Sequence, residues 1–274
     1  MSPNELTVLF IGDIIGALGR RATRLLLPQL KKKYAPDLIL ANGENSAHGY
    51  GITEKIYHEL LEMGIEAITM GNHVWDKKEL PRDIDKFPAL ARPANYPAGT
   101  PGKEYLIVEA GGVKVGVLNL VGRTFMQCLD CPFKAAERLL PKLKESAQLI
   151  IVDMHAEATS EKCAMGYFLD GKVAAVIGTH THVMTADERI LPNGTAYISD
   201  AGMVGARDSI IGMDREQILK RFLTQMPEKF EPTDTGPAVF NAVLIKIDLR
   251  TGKAQEIKKI IEYSDEITLE EGKS

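Results

Sequence analysis

The feature that most limits the possible folds is the alternation, over about the first 70 residues, of short apolar runs with helical patterns. Three runs, TVLFIG, DLILAN and EAITMG, are rich in β-branched residues and have the length of buried strands. Of the two segments between them, the first contains Pro28, which is expected to kink or interrupt its helix, and the second begins at Thr53 and ends at Gly64. A strand–helix–strand succession predicts a mainly parallel sheet.

The rest of the chain adds further strands, several of them antiparallel. LIIVDM and VAAVIG predict two more buried strands, and three segments place β-rich runs on both sides of turns near Gly111, Asn193 and Gly252. We therefore predict an α/β fold of two packed mixed sheets flanked by helices. Residues 1–274 are expected to form a single domain, and the last ~10 residues, DEITLEEGKS, are expected to be frayed.

Composition and charge exclude several classes of function. The chain has 274 residues, is 45% hydrophobic and carries a formal net charge of −4, which suits a large core and argues against binding to a long nucleic acid. No apolar run approaches the ~20 residues of a membrane span, and no secretion signal is evident at the N-terminus. We expect a cytoplasmic protein without a membrane partner. The sequence is compatible with a homo-oligomer.

The cysteines are few and odd in number, which argues against a disulfide framework. Cys128 and Cys131 form one C-x-x-C pair, but the chain has neither a second such pair nor a thioredoxin-like context. We expect these two cysteines to lie in a loop and to have neither a redox nor a metal-binding function.

Metal-binding and acid–base side chains follow five predicted strands. They are Asp13, Glu44 with Asn45, Asn72 with His73, His155, and His180 with His182. Each alone could be a helix cap or a turn residue, but four of the six histidines in the chain stand at these strand ends. Because ligands bind at the carboxyl ends of strands in open α/β sheets, we expect these side chains to converge on one site.

The chemistry of this set predicts two metal ions. Histidine, carboxylate and amide ligands without a thiolate suit Fe or Mn, with Zn as a further option. Eight candidate groups exceed the four ligands of a tetrahedral zinc, and Glu44 can bridge two ions. In an extended segment, residues i and i+2 point to the same side, so we predict that His180 and His182 face the cluster while Thr181 turns away.

The order of these blocks resembles the calcineurin-like metallophosphoesterase superfamily. FIGDIIG, NGENSAHGYGIT, TMGNHVWD, GRTFM, VDMHAEATSEK and GTHTHV are similar to a bacterial branch described as 2′,3′-cyclic-nucleotide 2′-phosphodiesterases. The similarity extends from Asp13 to about Asp214. It implies an α/β/β/α sandwich with a dinuclear metal site.

The resemblance also implies a role for each site residue. His73 would donate a proton rather than bind metal. The remaining residues would hold two ions, the first on Asp13, Glu44, Asn45 and His182, and the second on Glu44 as the bridge, Asn72, His155 and His180.

The sequence departs from the general superfamily pattern at three positions. Ile15 stands where a histidine is usual, so that Asn45 would replace a nitrogen ligand. Glu44 stands where aspartate is usual, and Thr179 is an extra residue in the histidine block. All three departures match the narrower bacterial branch.

A dinuclear site suits the hydrolysis of a phosphodiester. Two cations neutralise the phosphate charge and supply a metal-bound hydroxide by lowering the pKa of bound water. A histidine that protonates the departing ribose alkoxide accelerates the reaction by about 10²–10⁴-fold. We predict a metal-dependent phosphodiesterase that acts on small cyclic nucleotides, with the 2′,3′-cyclic kind implied by the resemblance. The alternatives are a phosphomonoesterase or protein phosphatase, and a metal-binding regulator with vestigial hydrolysis.

Overall fold

Fourteen strands form two β-sheets within residues 4–267, the part of the chain that the computed structural model describes. In chain order they are β1 (Glu5–Ile11), β2 (Asp13–Ile14), β3 (Leu38–Asn42), β4 (Ala67–Thr69), β5 (Leu90–Ala91), β6 (Tyr105–Ala110), β7 (Val113–Val121), β8 (Leu149–His155), β9 (Ala175–Thr179), β10 (Arg189–Ile190), β11 (Ala196–Ile198), β12 (Met203–Ala206), β13 (Gly236–Asp248) and β14 (Ala254–Ile267).

Six α-helices lie between these strands, together with a short 3₁₀ helix over Ile84–Lys86. They are α1 (Gly16–Tyr34), α2 (Glu54–Glu62), α3 (Leu80–Asp83), α4 (Pro132–Ser146), α5 (Thr159–Leu169) and α6 (Arg215–Thr224). Thr53 caps α2, as predicted, because its Oγ1 accepts a hydrogen bond from Ile56 N at 3.4 Å. No helix in residues 4–267 is long and apolar enough to cross a membrane.

Both sheets are mixed, which confirms the prediction. The first has the order β2-β12-β13-β1-β3-β4-β5, with β14 paired to β13. Its strands β1, β3, β4 and β5 are parallel, whereas β13 is antiparallel to its neighbours. The second sheet has the order β10-β11-β9-β8-β7-β6, in which the four central strands are parallel and both edge strands are antiparallel.

The sheets pack face to face and the long helices cover their outer faces. Phe10 of the first sheet belongs to the same buried cluster as Ile151 and Ile177 of the second. Leu27 of α1 packs on the outer face of the first sheet, and Leu139 of α4 packs on that of the second. The α/β/β/α sandwich implied by the resemblance is therefore present, and the carboxyl ends of β3 and β8 lie at the same edge of it.

One local prediction was wrong. Helix α1 is not interrupted at Pro28, because Pro28 faces solvent while Leu27 and Leu30 are buried, and this burial offsets the ~3 kcal/mol that an internal proline costs. The expected frayed tail, 265–274, begins in β14, where Ile267 pairs with Gly236 of β13. The remainder of that tail, 268–274, lies outside the described residues.

Candidate active site

The structure brings all the predicted site residues together at the carboxyl ends of the strands. The first sheet supplies Asp13 at the start of β2 and the loops after β3 and β4 that carry Glu44 with Asn45 and Asn72 with His73. The second sheet supplies His155, the last residue of β8, and His180 and His182, which follow β9. Asp13, Glu44, Asn45 and His155 are almost fully buried. The site therefore lies where the two sheets meet.

Three atoms that can act as metal ligands surround His155 Nε2. Glu44 Oε1 lies 2.8 Å from it, His180 Nδ1 3.0 Å and Asn72 Oδ1 3.1 Å. The donor atoms of Glu44, His155 and His180 are all within 4.8 Å of one another. Because one ring nitrogen carries at most one proton, it cannot serve three acceptors. A cation at this point can bind all of them.

A second group consists of buried oxygen atoms without hydrogen bonds. Asp13 Oδ1 and Asn45 Oδ1 have no hydrogen-bond partner, whereas Glu44 Oε1 contacts His155 Nε2 as described above. A buried polar atom left without a partner costs about 1–3 kcal/mol. His182 Nε2 lies 3.8 Å from Asp13 Oδ1, while its Nδ1 lies 2.9 Å from Ile211 O and so carries the proton. These oxygens and the Nε2 lone pair are a donor set that fits a second cation.

The charged groups in the cluster shift one another's pKa values. Burial opposes ionisation of Glu44, but His155 outweighs it and lowers the pKa of this carboxyl to about 2. Burial also opposes protonation of His155, but Glu44 and Asp13 outweigh it and raise the pKa of the imidazole to about 9. Burial and the nearby His155 lower the pKa of His180 to about 3. Without metal, the cluster thus holds a proton on His155 that a cation would replace.

A hydrogen-bonded chain fixes the ring of His155. Thr179 Oγ1 donates to Asp153 Oδ1 at 2.6 Å and accepts from His155 Nδ1 at 2.8 Å, which leaves Nε2 facing the other donor atoms. Asp153 Oδ2 also accepts from Thr69 and Asn42. Asp153 was not predicted from the sequence, although a carboxylate inside the apolar run LIIVDM is a recognisable signal. Thr179, the extra residue of the histidine block, thus has a structural role.

The prediction that an extended segment presents His180 and His182 was wrong. Strand β9 ends at Thr179, and His180 and His182 have φ angles of +100° and +65°. The intervening Thr181 is anchored instead, because its N and Oγ1 donate to Asp200 Oδ2 at 3.0 and 2.7 Å. The two imidazoles reach the site from a turn. His180 Nε2 lies 3.3 Å from Glu157 Oε2, so its Nδ1 faces the cluster.

His73 lies beside the cluster with its side chain in an open cavity. Its backbone N donates to Glu44 Oε2 at 3.0 Å, and its Nδ1 lies 2.8 Å from Asp76 Oδ2. The ring of Tyr50 packs edge-on against it at 5.0 Å. The cavity measures about 310 Å³ and is also lined by Glu44, His180 and His182. His73 Nε2 is therefore free to face a bound molecule.

The remaining sequence candidates lie apart from the cluster. Cys128 and Cys131 are free thiols in the loop before α4, and Cys131 Sγ accepts from Arg123 Nη2 at 3.4 Å. A larger cavity, of about 640 Å³, lies between the β6–β7 turn and the end of α4. It contains no histidine and is at the opposite end of the second sheet from the strand ends that carry the site.

Gly71 provides a test of how tightly the site is packed. A Cβ at this position would overlap Glu44 Oε2 and His155 Nε2. We expect Gly71→Ala to displace these atoms and to lower metal affinity by at least ~10-fold, as measured by calorimetric titration and elemental analysis. The matched control is Gly205→Ala in β12, where the nearest atom to the new Cβ, that of Ile15, is 3.4 Å away. Equal metal affinity in both variants would contradict this account of the packing.

The fold and the site together define an enzyme of the metallophosphoesterase class, a metal-dependent phosphoric ester hydrolase. The chain belongs to the family described as YmdB-like protein, whose sequence profile matches residues 9–260. The resemblance stated from the sequence is thereby confirmed, as is the prediction of an enzyme of this kind.

Individual relatives agree with this assignment. The chain is 51% identical, over 97% of its length and 100% of the relative, to the 2′,3′-cyclic-nucleotide 2′-phosphodiesterase of Bacillus subtilis. A crystal structure of a phosphatase from Mycoplasma pneumoniae has a TM-score of 0.89 at 39% identity and covers 96% of this chain and 95% of its own. A Thermus thermophilus protein of unassigned function has a TM-score of 0.88 at 43% identity, over 94% of this chain and 99% of its own.

Proposed function

We propose that the protein is a cytoplasmic phosphodiesterase that hydrolyses small cyclic nucleotides, with 2′,3′-cyclic nucleotides as its preferred substrates. The observation that carries the proposal is the pair of buried oxygens without partners, Asp13 Oδ1 and Asn45 Oδ1, together with the cluster of Glu44, His155 and His180. The full-length similarity to a 2′,3′-cyclic-nucleotide 2′-phosphodiesterase supports this substrate class. We further propose that residues 1–274 act as a single domain.

Two metal ions would be held by the residues of the cluster. The proposed ligands are Asp13, Glu44, Asn45 and His182 for one ion and Glu44, Asn72, His155 and His180 for the other. When bound, they neutralise phosphate charge and lower the pKa of water. Nitrogen and oxygen ligands without sulfur favour Fe or Mn, and Zn suits the same set.

His73 is the proposed proton donor. A cyclic diester opens by expelling a ribose oxygen, which is a poor leaving group unless it is protonated as the bond breaks. His73 lines the cavity, and the contact of its Nδ1 with Asp76 Oδ2 orients the ring so that Nε2 is the nitrogen left to donate a proton. The backbone N–H of His73 orients Glu44 independently of the side chain.

The proposed substrate class can be tested by comparing three compounds. Protein loaded with Mn or Fe should hydrolyse 2′,3′-cyclic AMP with a kcat/KM at least ~10-fold above that for 3′,5′-cyclic AMP or for p-nitrophenyl phosphate, a difference of ~1.4 kcal/mol in the barrier. Preference for the monoester would instead assign a phosphatase, the function named for the Mycoplasma pneumoniae structure. Turnover of none of the three would contradict the proposal.

A further inference from the structure

Phe125, in the loop between β7 and α4, is a strained and unusually exposed aromatic residue. It is 89% exposed, and its φ of +62° lies in the left-handed region that a bulky residue rarely adopts. The flanking backbone is fixed, because Arg123 N and Thr124 N both donate to the Glu161 carboxylate and Met126 N donates to Arg123 O. Strain of this kind persists only where the surroundings impose it, and it is concentrated at ligand sites.

Phe125 lines a cavity beside two of the proposed metal ligands. Phe125, Met126 and Gln127 line a cavity of about 350 Å³ together with Asn72 and His180, two of the proposed ligands of one ion. His180 also lines the cavity that contains His73. The two cavities therefore flank the same imidazole, and a molecule bound at the cluster can extend into either of them.

The substrate of the proposed function has a part that must lie near this rim. In a 2′,3′-cyclic nucleotide the base and the reacting phosphate are attached to the same ribose, so a phosphate at the cluster leaves the base at its edge. Bases bind to proteins by stacking on aromatic rings and by hydrogen bonds along their edges. Phe125 offers the first contact, and the amide of Gln127, a donor and an acceptor, offers the second.

The aromatic rings of the cavity that contains His73 already pack against neighbouring side chains. Tyr50 packs against His73 at 5.0 Å, and the guanidinium of Arg221 lies 5.0 Å from the centre of the Phe230 ring. Among the aromatic and cation–π pairs of residues 4–267, none includes Phe125. Its ring faces are therefore free for a ligand.

We propose that Phe125 is the stacking surface for the nucleobase and thereby a determinant of substrate specificity. The proposal rests on the function proposed above. In this arrangement, the base lies in the cavity lined by Phe125, and the leaving ribose oxygen lies on the side of His73. Because a purine has a larger face than a pyrimidine, the stacking contribution is expected to be larger for 2′,3′-cyclic AMP than for 2′,3′-cyclic CMP.

The test compares two substitutions on substrates with and without a base. Phe125→Asn removes the ring but suits the left-handed backbone, and Phe125→Trp retains an aromatic face. The substrates are 2′,3′-cyclic AMP and methyl ribofuranoside 2′,3′-cyclic phosphate, which lacks the base. We expect Phe125→Asn to raise KM for 2′,3′-cyclic AMP by about 5- to 100-fold with little change in kcat, and to leave KM for the base-free compound unaltered. Phe125→Trp should retain the wild-type KM for both.

The matched control is Phe222→Asn on α6, which removes another highly exposed phenylalanine that does not line either cavity. If Phe125→Asn changes KM equally for the two substrates, or for neither, the proposed stacking is wrong while the proposed function stands. If the wild-type protein with bound metals hydrolyses neither compound, the proposed function itself is wrong and this inference falls with it.

Discussion

Replacing His73 with alanine is expected to lower kcat for 2′,3′-cyclic AMP by about 10²–10⁴-fold while the bound metal remains unchanged. The imidazole is the proposed donor to the leaving ribose oxygen, so its loss affects the transition state rather than metal binding. Metal content should be retained because the contact between His73 and Glu44 is made by the backbone N–H. The measurements are steady-state kinetics and elemental analysis on the same preparation.

Two further variants separate proton donation from a general effect of the substitution. Asp76→Asn keeps the His73 imidazole but weakens the contact at Nδ1, so kcat should fall by less than in His73→Ala. His58→Ala removes an exposed histidine from α2 and should leave kcat unchanged. A substrate whose leaving group needs no proton, such as a p-nitrophenyl diester, should be much less affected by His73→Ala. An equal loss on both substrates would contradict the role of proton donor.

Replacing Lys162 with methionine is expected to lower the free energy of unfolding by about 3–5 kcal/mol. Lys162 is 1% exposed, and its Nζ lies 2.7 Å from Asp200 Oδ2 and 3.0 Å from Thr179 O. The substitution leaves the Asp200 carboxylate buried without its counter-charge. Because Asp200 also anchors Thr181, between the two histidines, metal affinity should fall together with stability. Denaturant unfolding and metal titration measure the two effects.

The double variant Lys162→Met with Asp200→Asn distinguishes the buried charge from lost packing. A neutral amide in place of the carboxylate removes the uncompensated charge while its oxygen can still accept from Thr181 N, so part of the lost stability should return. Lys134→Met is the matched control, because Lys134 lies 2.7 Å from Glu137 but both side chains are exposed. That control should leave the unfolding midpoint unchanged. A cost for Lys162→Met no greater than for the control would show that the buried pair does not stabilise the fold.

Much of the fold could be predicted because its signals are local. The apolar runs that became β1, β3, β4, β8 and β9 are short and almost entirely apolar, so each can be recognised individually. The site residues could be predicted for a related reason. Each lies at or within a few residues of the carboxyl end of a strand, and parallel strands bring their carboxyl ends together. Glu44 and His155 thus meet although they are 111 positions apart and no local signal pairs them.

The supporting interactions could not be predicted because they join residues that are distant in sequence and ordinary in type. Lys162 on α5 looks like a surface lysine, and only the packed structure shows that it meets Asp200. The left-handed conformations of His180 and His182 depend on the same contacts, so an extended segment was the natural but wrong expectation. Phe125 likewise gave no signal, because its exposure depends on how Glu161 holds the loop.

Because the site lies between the two sheets, bound metal is expected to stabilise the folded state and to lengthen the lifetime of the enzyme. The proposed ligands come from both sheets, with Asp13 and Glu44 from one and His155 and His182 from the other. An ion bound by both sets is a cross-link, and complete unfolding must release it. By mass action, the folded population then rises with the free metal concentration. In a cell short of metal, the protein would lose both its activity and its protection from proteases, so that metal supply would set its abundance as well as its rate.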